Sequence, residues 1–251
     1  MIAANLGFLW KGLPLTERIG RAAAAGFDAV ELHDDAQAGD LGEVRAALEA
    51  SRLPLLGLNA RMGARSGCAG IPELEDEARA DIDAAIAAAR ALGGTAVHVL
   101  AGVVPRGAKS LDTYRANLSY ACERAGDLTV LIEPLSEAAK PGYLVSTVEQ
   151  AAETVEAVGA RNLRIMFDVF HVAQAGGEIV ETYRRHAGMV GHVQIADPVT
   201  RAEPEGLGGV IAGLREAGYA GALGAEYVPS GEVEDRLGWM GEAREAMAPR
   251  A

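Results

Sequence analysis

Cysteine is almost missing from this chain. Cys68 and Cys122 are the only two thiols in 251 residues, too few and too far apart for a disulfide framework. The fold therefore stands without crosslinks and suits a reducing cytoplasm. Neither thiol has the basic or helix-start surroundings that lower a thiol pKa, so both read as unreactive. Basic residues are also short: 23 Lys and Arg face 35 Asp and Glu, for a net charge of -12. Nucleic-acid binding draws most of its affinity from Lys and Arg on phosphates, so DNA and RNA are not expected partners. The acidic surface instead keeps a cytoplasmic protein soluble. The longest uncharged stretch, residues 91–105, falls short of the ~18 residues a membrane span needs. Residues 1–10 are apolar but lack a basic start and a small-residue cleavage pattern, so they read as a first strand and not a signal peptide. No GxGxxG follows that strand, which removes the signature of an open dinucleotide-binding sheet.

What the chain does have is 49% hydrophobic residues, carried by Ala, Leu and Val, with aromatics at only 5%. That suffices for a large core, and Ala favours helices. One pattern recurs: an Ala-rich helical segment ends in Gly, and a short apolar run follows. It appears at Gly26 before Ala29-Val30-Glu31-Leu32 and at Gly93 before Ala96-Val97-His98-Val99-Leu100. It returns at Gly159 before residues 163–167 and at Gly218 before residues 222–226. Glycine just past a helix takes the left-handed conformation that closes the last turn. Further strands are expected at 2–6, 55–58, 129–132 and 190–195. Helices are expected at 15–25, 41–51, 73–92, 111–125, 147–158, 178–187, 210–217 and 232–247. Eight strands alternating with eight helices imply a parallel sheet, and the chain length matches the ~250 residues of a closed (β/α)8 TIM barrel. No linker divides the chain, so residues 1–251 are expected to form one domain.

Barrel enzymes place their chemistry at the carboxyl ends of the strands. Those positions hold Glu133 after Leu131-Ile132, Asp168 after Met166-Phe167, Gln194 in His192-Val193-Gln194, and Glu226 after Ala225. Carboxylates at the end of apolar runs are costly unless paired or metal-bound. Three carboxylates and an amide on four consecutive strands make a hard-oxygen site for one divalent metal, Mg2+ or Mn2+. His171, three residues past Asp168, either donates to substrate oxygens or orients Asp168. His192 shares the face of Gln194, where it either packs in the barrel core or touches substrate. His98 and His33 read as structural. Arg201, in the loop after the seventh strand with Glu203, suits bidentate capture of a carboxylate or phosphate.

At these residues the chain resembles the hydroxypyruvate isomerase family, a branch of the xylose-isomerase-like barrels. The matching stretches are Ile132-Glu133-Pro134, Phe167-Asp168-Val169-Phe170-His171 and Gly191-His192-Val193-Gln194-Ile195-Ala196-Asp197. Arg201-Ala202-Glu203-Pro204, Ala217-Gly218-Tyr219, Glu226-Tyr227, Ala4-Asn5-Leu6 and Val30-Glu31 match as well. Gln194 separates this branch from the sugar epimerases of the superfamily, most of which carry histidine there. The resemblance implies that Glu133, Asp168, Gln194 and Glu226 hold the metal. It implies that Glu133 and Glu226 move a proton between adjacent carbons. His171, Arg201, Glu203, Asn59 and His192 are then expected around the substrate. Three departures fall in substrate-facing loops: Leu58 replaces a histidine before Asn59, residues 135–140 replace an Asn and a later Asp, and the segment 205–209 is shortened.

The resulting expectation is a metal-dependent isomerase that interconverts hydroxypyruvate, or a similar small hydroxy-keto acid, with its aldehyde isomer. A ketose 3-epimerase or a sugar or inositol dehydratase would use the same carboxylate pair. A sugar-acid-binding barrel without turnover is the reading from another class. Endonuclease IV relatives need extra histidines for three zinc ions, and this chain has five in all. The expected partner is a small-molecule substrate, with no membrane and no nucleic acid; self-association into a homo-oligomer is left open.

Overall fold

The computed structural model describes residues 1–248 of the 251. Eight strands close into a barrel in sequence order, every neighbouring pair parallel, including the last with the first. They are β1 (Ile2–Asn5), β2 (Ala29–Leu32), β3 (Leu55–Asn59), β4 (Ala96–His98), β5 (Thr129–Ile132), β6 (Leu163–Asp168), β7 (Val190–Ile195) and β8 (Leu223–Ala225). Each falls on an expected apolar run, because strands covered on both faces must be apolar almost throughout. The helices outside the barrel are α1 (Leu15–Ala24), α2 (Asp35–Ala38), α3 (Leu41–Ser51), α4 (Glu75–Leu92), α5 (Ala108–Ala125) and α6 (Val148–Val158). They continue with α7 (Val169–Gln174), α8 (Ile179–His186), α9 (Gly208–Glu216) and α10 (Trp239–Met247). Gly93 and Gly159 take φ of 71° and 66° at the ends of α4 and α6, the left-handed turn expected of them.

Two short helices, α2 and α7, were not legible in the sequence, and the expected final helix over 232–247 is broken. Val233–Arg236 forms a 3-10 turn before α10. Val233 and Trp239 are both buried, yet six residues of α-helix would set them ~120° apart around its axis. The break lets both side chains face the barrel.

Most of the core lies between sheet and helices, as one continuous apolar cluster from Ile2 to Ala243. Ala96, Leu131 and Met166 form a separate small cluster. With His192, Gln194, Glu31 and Asn5 they line an axial cavity of about 210 Å3 that reaches the amino-terminal strand ends at Met1, Thr95 and Thr129. A barrel axis is usually filled by side-chain layers; here part of it is polar and hollow. Among the described residues, no helix is long and apolar enough to cross a membrane. Burial pushes both thiols up, Cys68 and Cys122 each to about 11, in keeping with inert cysteines.

Candidate active site

Strand register sets the geometry of the site. Asp168 pairs with Gln194 across β6 and β7, and Gln194 pairs with Gly224 across β7 and β8. Glu133 follows β5 directly, and Glu226 follows β8. All four side chains are buried. Asp168 has two tasks. Its Oδ1 accepts the Phe170 backbone N–H at 2.8 Å and so starts α7, while its Oδ2 has no hydrogen-bond partner. Since α7 begins at the strand end itself, His171 is carried straight back over the barrel mouth.

His171 Nδ1 accepts the backbone N–H of Ser136 at 3.2 Å. That contact places the proton of the neutral ring on Nε2, which lies 3.8 Å from Glu133 Oε1 and 4.0 Å from Asp168 Oδ2. Burial, reinforced by the Arg201 charge, pushes His171 down to about 3, so the ring is a neutral donor at physiological pH.

The two glutamates sit in opposite electrostatic surroundings. Burial and the charges of Glu226 and Asp168 push Glu133 well above the usual carboxylate range. Burial acts on Glu226 in the same direction, but a hydrogen bond from His33 and the Arg201 charge outweigh it and hold the group at about 2. Glu226 Oε1 accepts Asn5 Nδ2 at 3.0 Å and lies 3.4 Å from His33 Nε2, while Oε2 accepts Arg201 Nη2 at 2.7 Å. The same Arg201 nitrogen is 3.6 Å from Asp168 Oδ2. Arg201 is held between the rings of Phe8 and Phe170, at 4.7 and 5.1 Å. Its backbone has a left-handed φ of 60°, a conformation that costs a non-glycine residue about 1–3 kcal/mol and that recurs at functional sites.

A cavity of about 250 Å3 opens above these groups, lined among others by Phe8, His33, Asn59, Glu133, Lys140, His171, Arg201 and Glu226. Thus Glu133, Glu226, His171, Arg201 and Asn59 face one space. Asn59 Oδ1 lies 3.1 Å from His98 Nδ1, which ties it to the barrel wall. His98, driven down to about 3 by burial, is a packed neutral ring. Glu203 and His192 lie elsewhere. Glu203 accepts the Ser230 backbone N–H at 2.9 Å and braces the loop after β8. His192 lines the axial cavity, its Nε2 2.6 Å from Glu31 Oε1. Residues without an expected role also enter the site. His33 and Asn5 both hold Glu226, and Lys140 reaches the cavity from a segment noted only as a departure. Their one sequence signal is position at a strand end or in a strand-end loop.

The donor set suits a hard divalent cation. Glu133 Oε1, Asp168 Oδ2 and Gln194 Oε1 are buried without a hydrogen-bond partner, although buried oxygens are normally satisfied. Ligand atoms of Glu133, Asp168 and His171 lie within 4.8 Å of one another. Taking a carboxylate out of water costs several kcal/mol in an unpaired setting, and Arg201 offsets only part of it. The proton on His171 Nε2 makes that ring a hydrogen-bond donor beside the oxygens.

The closed parallel barrel thus carries Glu133 and Glu226 at the carboxyl ends of β5 and β8, where barrel enzymes place their chemistry. The family model of the xylose isomerase-like TIM barrel matches residues 19–248. A hydroxypyruvate isomerase from Escherichia coli is 32% identical over 252 residues, covering 95% of this chain and 97% of that protein. A 2-oxo-tetronate isomerase from Pectobacterium atrosepticum is 34% identical, covering 94% of this chain and 95% of its own length. Among solved structures, a family 2 AP endonuclease from Brucella melitensis superposes with a TM-score of 0.91 at 29% identity, covering 96% and 97% of the two chains. The chain belongs to the xylose isomerase-like TIM barrel family, in agreement with the resemblance read from its motifs, and it is an isomerase.

Proposed function

We propose that the protein isomerises a small keto acid bearing a hydroxyl on the carbon next to its carbonyl, hydroxypyruvate being the simplest case. The carrying observation is geometric: the buried carboxyl groups of Glu133 and Glu226 line one cavity together with His171 and Arg201. Glu226 removes the proton from the hydroxyl-bearing carbon, and Glu133 delivers one to the former carbonyl carbon. The hydroxyl-bearing carbon loses one proton to Glu226, the former carbonyl carbon gains one from Glu133, the hydroxyl proton passes to the neighbouring oxygen, and the two glutamates return to their starting states by proton exchange with solvent. His171 Nε2–H is placed to donate to the oxygen on which negative charge grows. Glu133, Asp168, Gln194 and Glu226 would hold a divalent cation, which when bound stabilises the enediolate oxygens.

A cavity of about 250 Å3, below the ~300–1,000 Å3 of sites for drug-sized ligands, fits a small-molecule substrate. Incubation with Mn2+ and hydroxypyruvate in deuterated water tests the reading. Tartronate semialdehyde carrying deuterium on the newly protonated carbon is expected, and a substrate that neither exchanges nor converts would end the proposal. Exchange at a carbon whose stereochemistry is inverted, without movement of the carbonyl, would point to an epimerase.

The substrate carboxylate needs a cation. Arg201 is already engaged by Glu226 and Asp168, whereas among the described residues Lys140 has no ion-pair partner while lining the same cavity. Lys140→Met is therefore expected to raise KM about tenfold, equivalent to ~1.4 kcal/mol of binding, with kcat within about twofold. Steady-state kinetics on hydroxypyruvate decide this, and an unchanged KM would assign the carboxylate elsewhere.

A further inference from the structure

Gln194 differs from the carboxylates around it in one respect: only one end of a carboxamide can bind a cation. Its Nε2 donates to Glu31 Oε2 at 2.9 Å, and its Oε1 is left buried with no hydrogen-bond partner. Glu31, on β2, is itself buried and belongs to none of the groups discussed above as ligands or acid–base residues. Its Oε1 lies 2.6 Å from His192 Nε2, and its Oε2 also accepts Asn5 Nδ2 at 3.3 Å. The same Asn5 nitrogen donates to Glu226 Oε1 at 3.0 Å. One carboxylate thus joins two of the four expected ligand side chains, Gln194 directly and Glu226 through Asn5. The barrel makes room for it. A Cβ built on Gly224 would stand 2.2 Å from Glu31 Oε1, so β8 has no side chain at the point where the carboxylate lies.

We infer that Glu31 is a positioning residue, one that fixes the Gln194 carboxamide with its oxygen turned toward the cation site. The inference rests on the metal-dependent reading above. An acceptor at this point excludes the flipped amide, because the flipped form would set Gln194 Oε1 against a carboxylate. Glutamine at position 31 would accept either orientation. Hydrogen-bond partners behind metal ligands commonly set affinity by 10–100-fold.

The test is Mn2+ binding to the intact protein, followed by electron paramagnetic resonance of the free ion and by calorimetry. Glu31→Gln is expected to weaken Mn2+ binding about 10–100-fold. Combining it with Gln194→Glu exchanges donor and acceptor at unchanged total charge, and should bring affinity back to within about threefold of the parent, a coupling that a double-mutant cycle isolates. Should Glu31→Gln lose its cooperative melting transition, Glu31→Asp takes its place. It keeps the charge, withdraws it by one methylene, and is also expected to bind Mn2+ more weakly. A parent protein that binds no Mn2+ would overturn the metal reading together with this inference. A parent that binds, beside a folded Glu31→Gln or Glu31→Asp of equal affinity, would overturn the inference alone, as would a double variant no tighter than Glu31→Gln.

Discussion

Replacing Glu226 by glutamine is expected to lower turnover about 10^3-fold while leaving the fold intact. General-base removal typically costs 10^2–10^4, and the group is held ionised, at about 2, by His33 and Arg201 against the upward push of burial. Glutamine keeps the shape and can still accept from Asn5, but it faces Arg201 with an amide and has no lone pair basic enough to take a carbon-bound proton. The companion change, Glu133→Gln, divides the reaction differently. With Glu226 present, the proton on the hydroxyl-bearing carbon of hydroxypyruvate should still exchange with deuterated water, yet no aldehyde should form. Glu226→Gln should show the mirror behaviour, with exchange only when tartronate semialdehyde is supplied. Proton NMR at saturating Mn2+ follows both. Parent-like turnover in Glu226→Gln would remove this residue from proton transfer.

The parts of this mechanism that rest on strand position were readable from the sequence. A carboxylate closing an apolar run, as in Leu131-Ile132-Glu133 and Met166-Phe167-Asp168, sits at the barrel mouth because burial and strand direction leave it nowhere else. What the sequence left hidden depends on contacts between distant residues. Glu31 meets Gln194 across 163 positions, and only the closed register reveals that Gly224 leaves room for the Glu31 carboxylate. Arg201 reads as a substrate cation in isolation. The left-handed backbone at that residue and the ring pair Phe8 and Phe170 set its guanidinium against Glu226 while it lines the cavity, a pairing that motif spacing does not reveal. Glu203, two residues on, turns away to hold the Ser230 backbone, which motif spacing alone does not distinguish. Helix α7 escaped notice for a related reason. It follows β6 with no glycine or proline to mark a boundary, since Asp168 itself supplies the cap.

That double duty of Asp168 leads to an expected result whose two halves have opposite sign. Asp168→Asn should abolish turnover yet raise the Tm measured with chelator present. Asparagine is as good a helix cap as aspartate, so the hydrogen bond to Phe170 and the start of α7 should persist. The charge is another matter. Burial first, then the charge of Glu226, push Asp168 from 3.8 up to about 7, past the counter-pull of Arg201. A carboxyl raised in the folded state opposes folding, and the sign follows from linkage. The opposition is absent below its unfolded pKa near 3.8, grows as pH rises, and is complete above about 7. Removing the charge at pH 8 should therefore stabilise the chelated protein by about 1 kcal/mol, a Tm gain of ~2–4 °C for a chain of this length, and the gain should shrink toward pH 5. Adding Mn2+ should reverse the ranking. At 100 times its Kd a bound ion contributes ~2.7 kcal/mol, which would lift the parent by ~5–10 °C and leave Asp168→Asn nearly unmoved. Differential scanning fluorimetry with EDTA and then Mn2+ at two pH values reads all of this. If Asp168→Asn melts below the parent in EDTA and gains equally from Mn2+, the buried carboxylates are held together by something other than a cation.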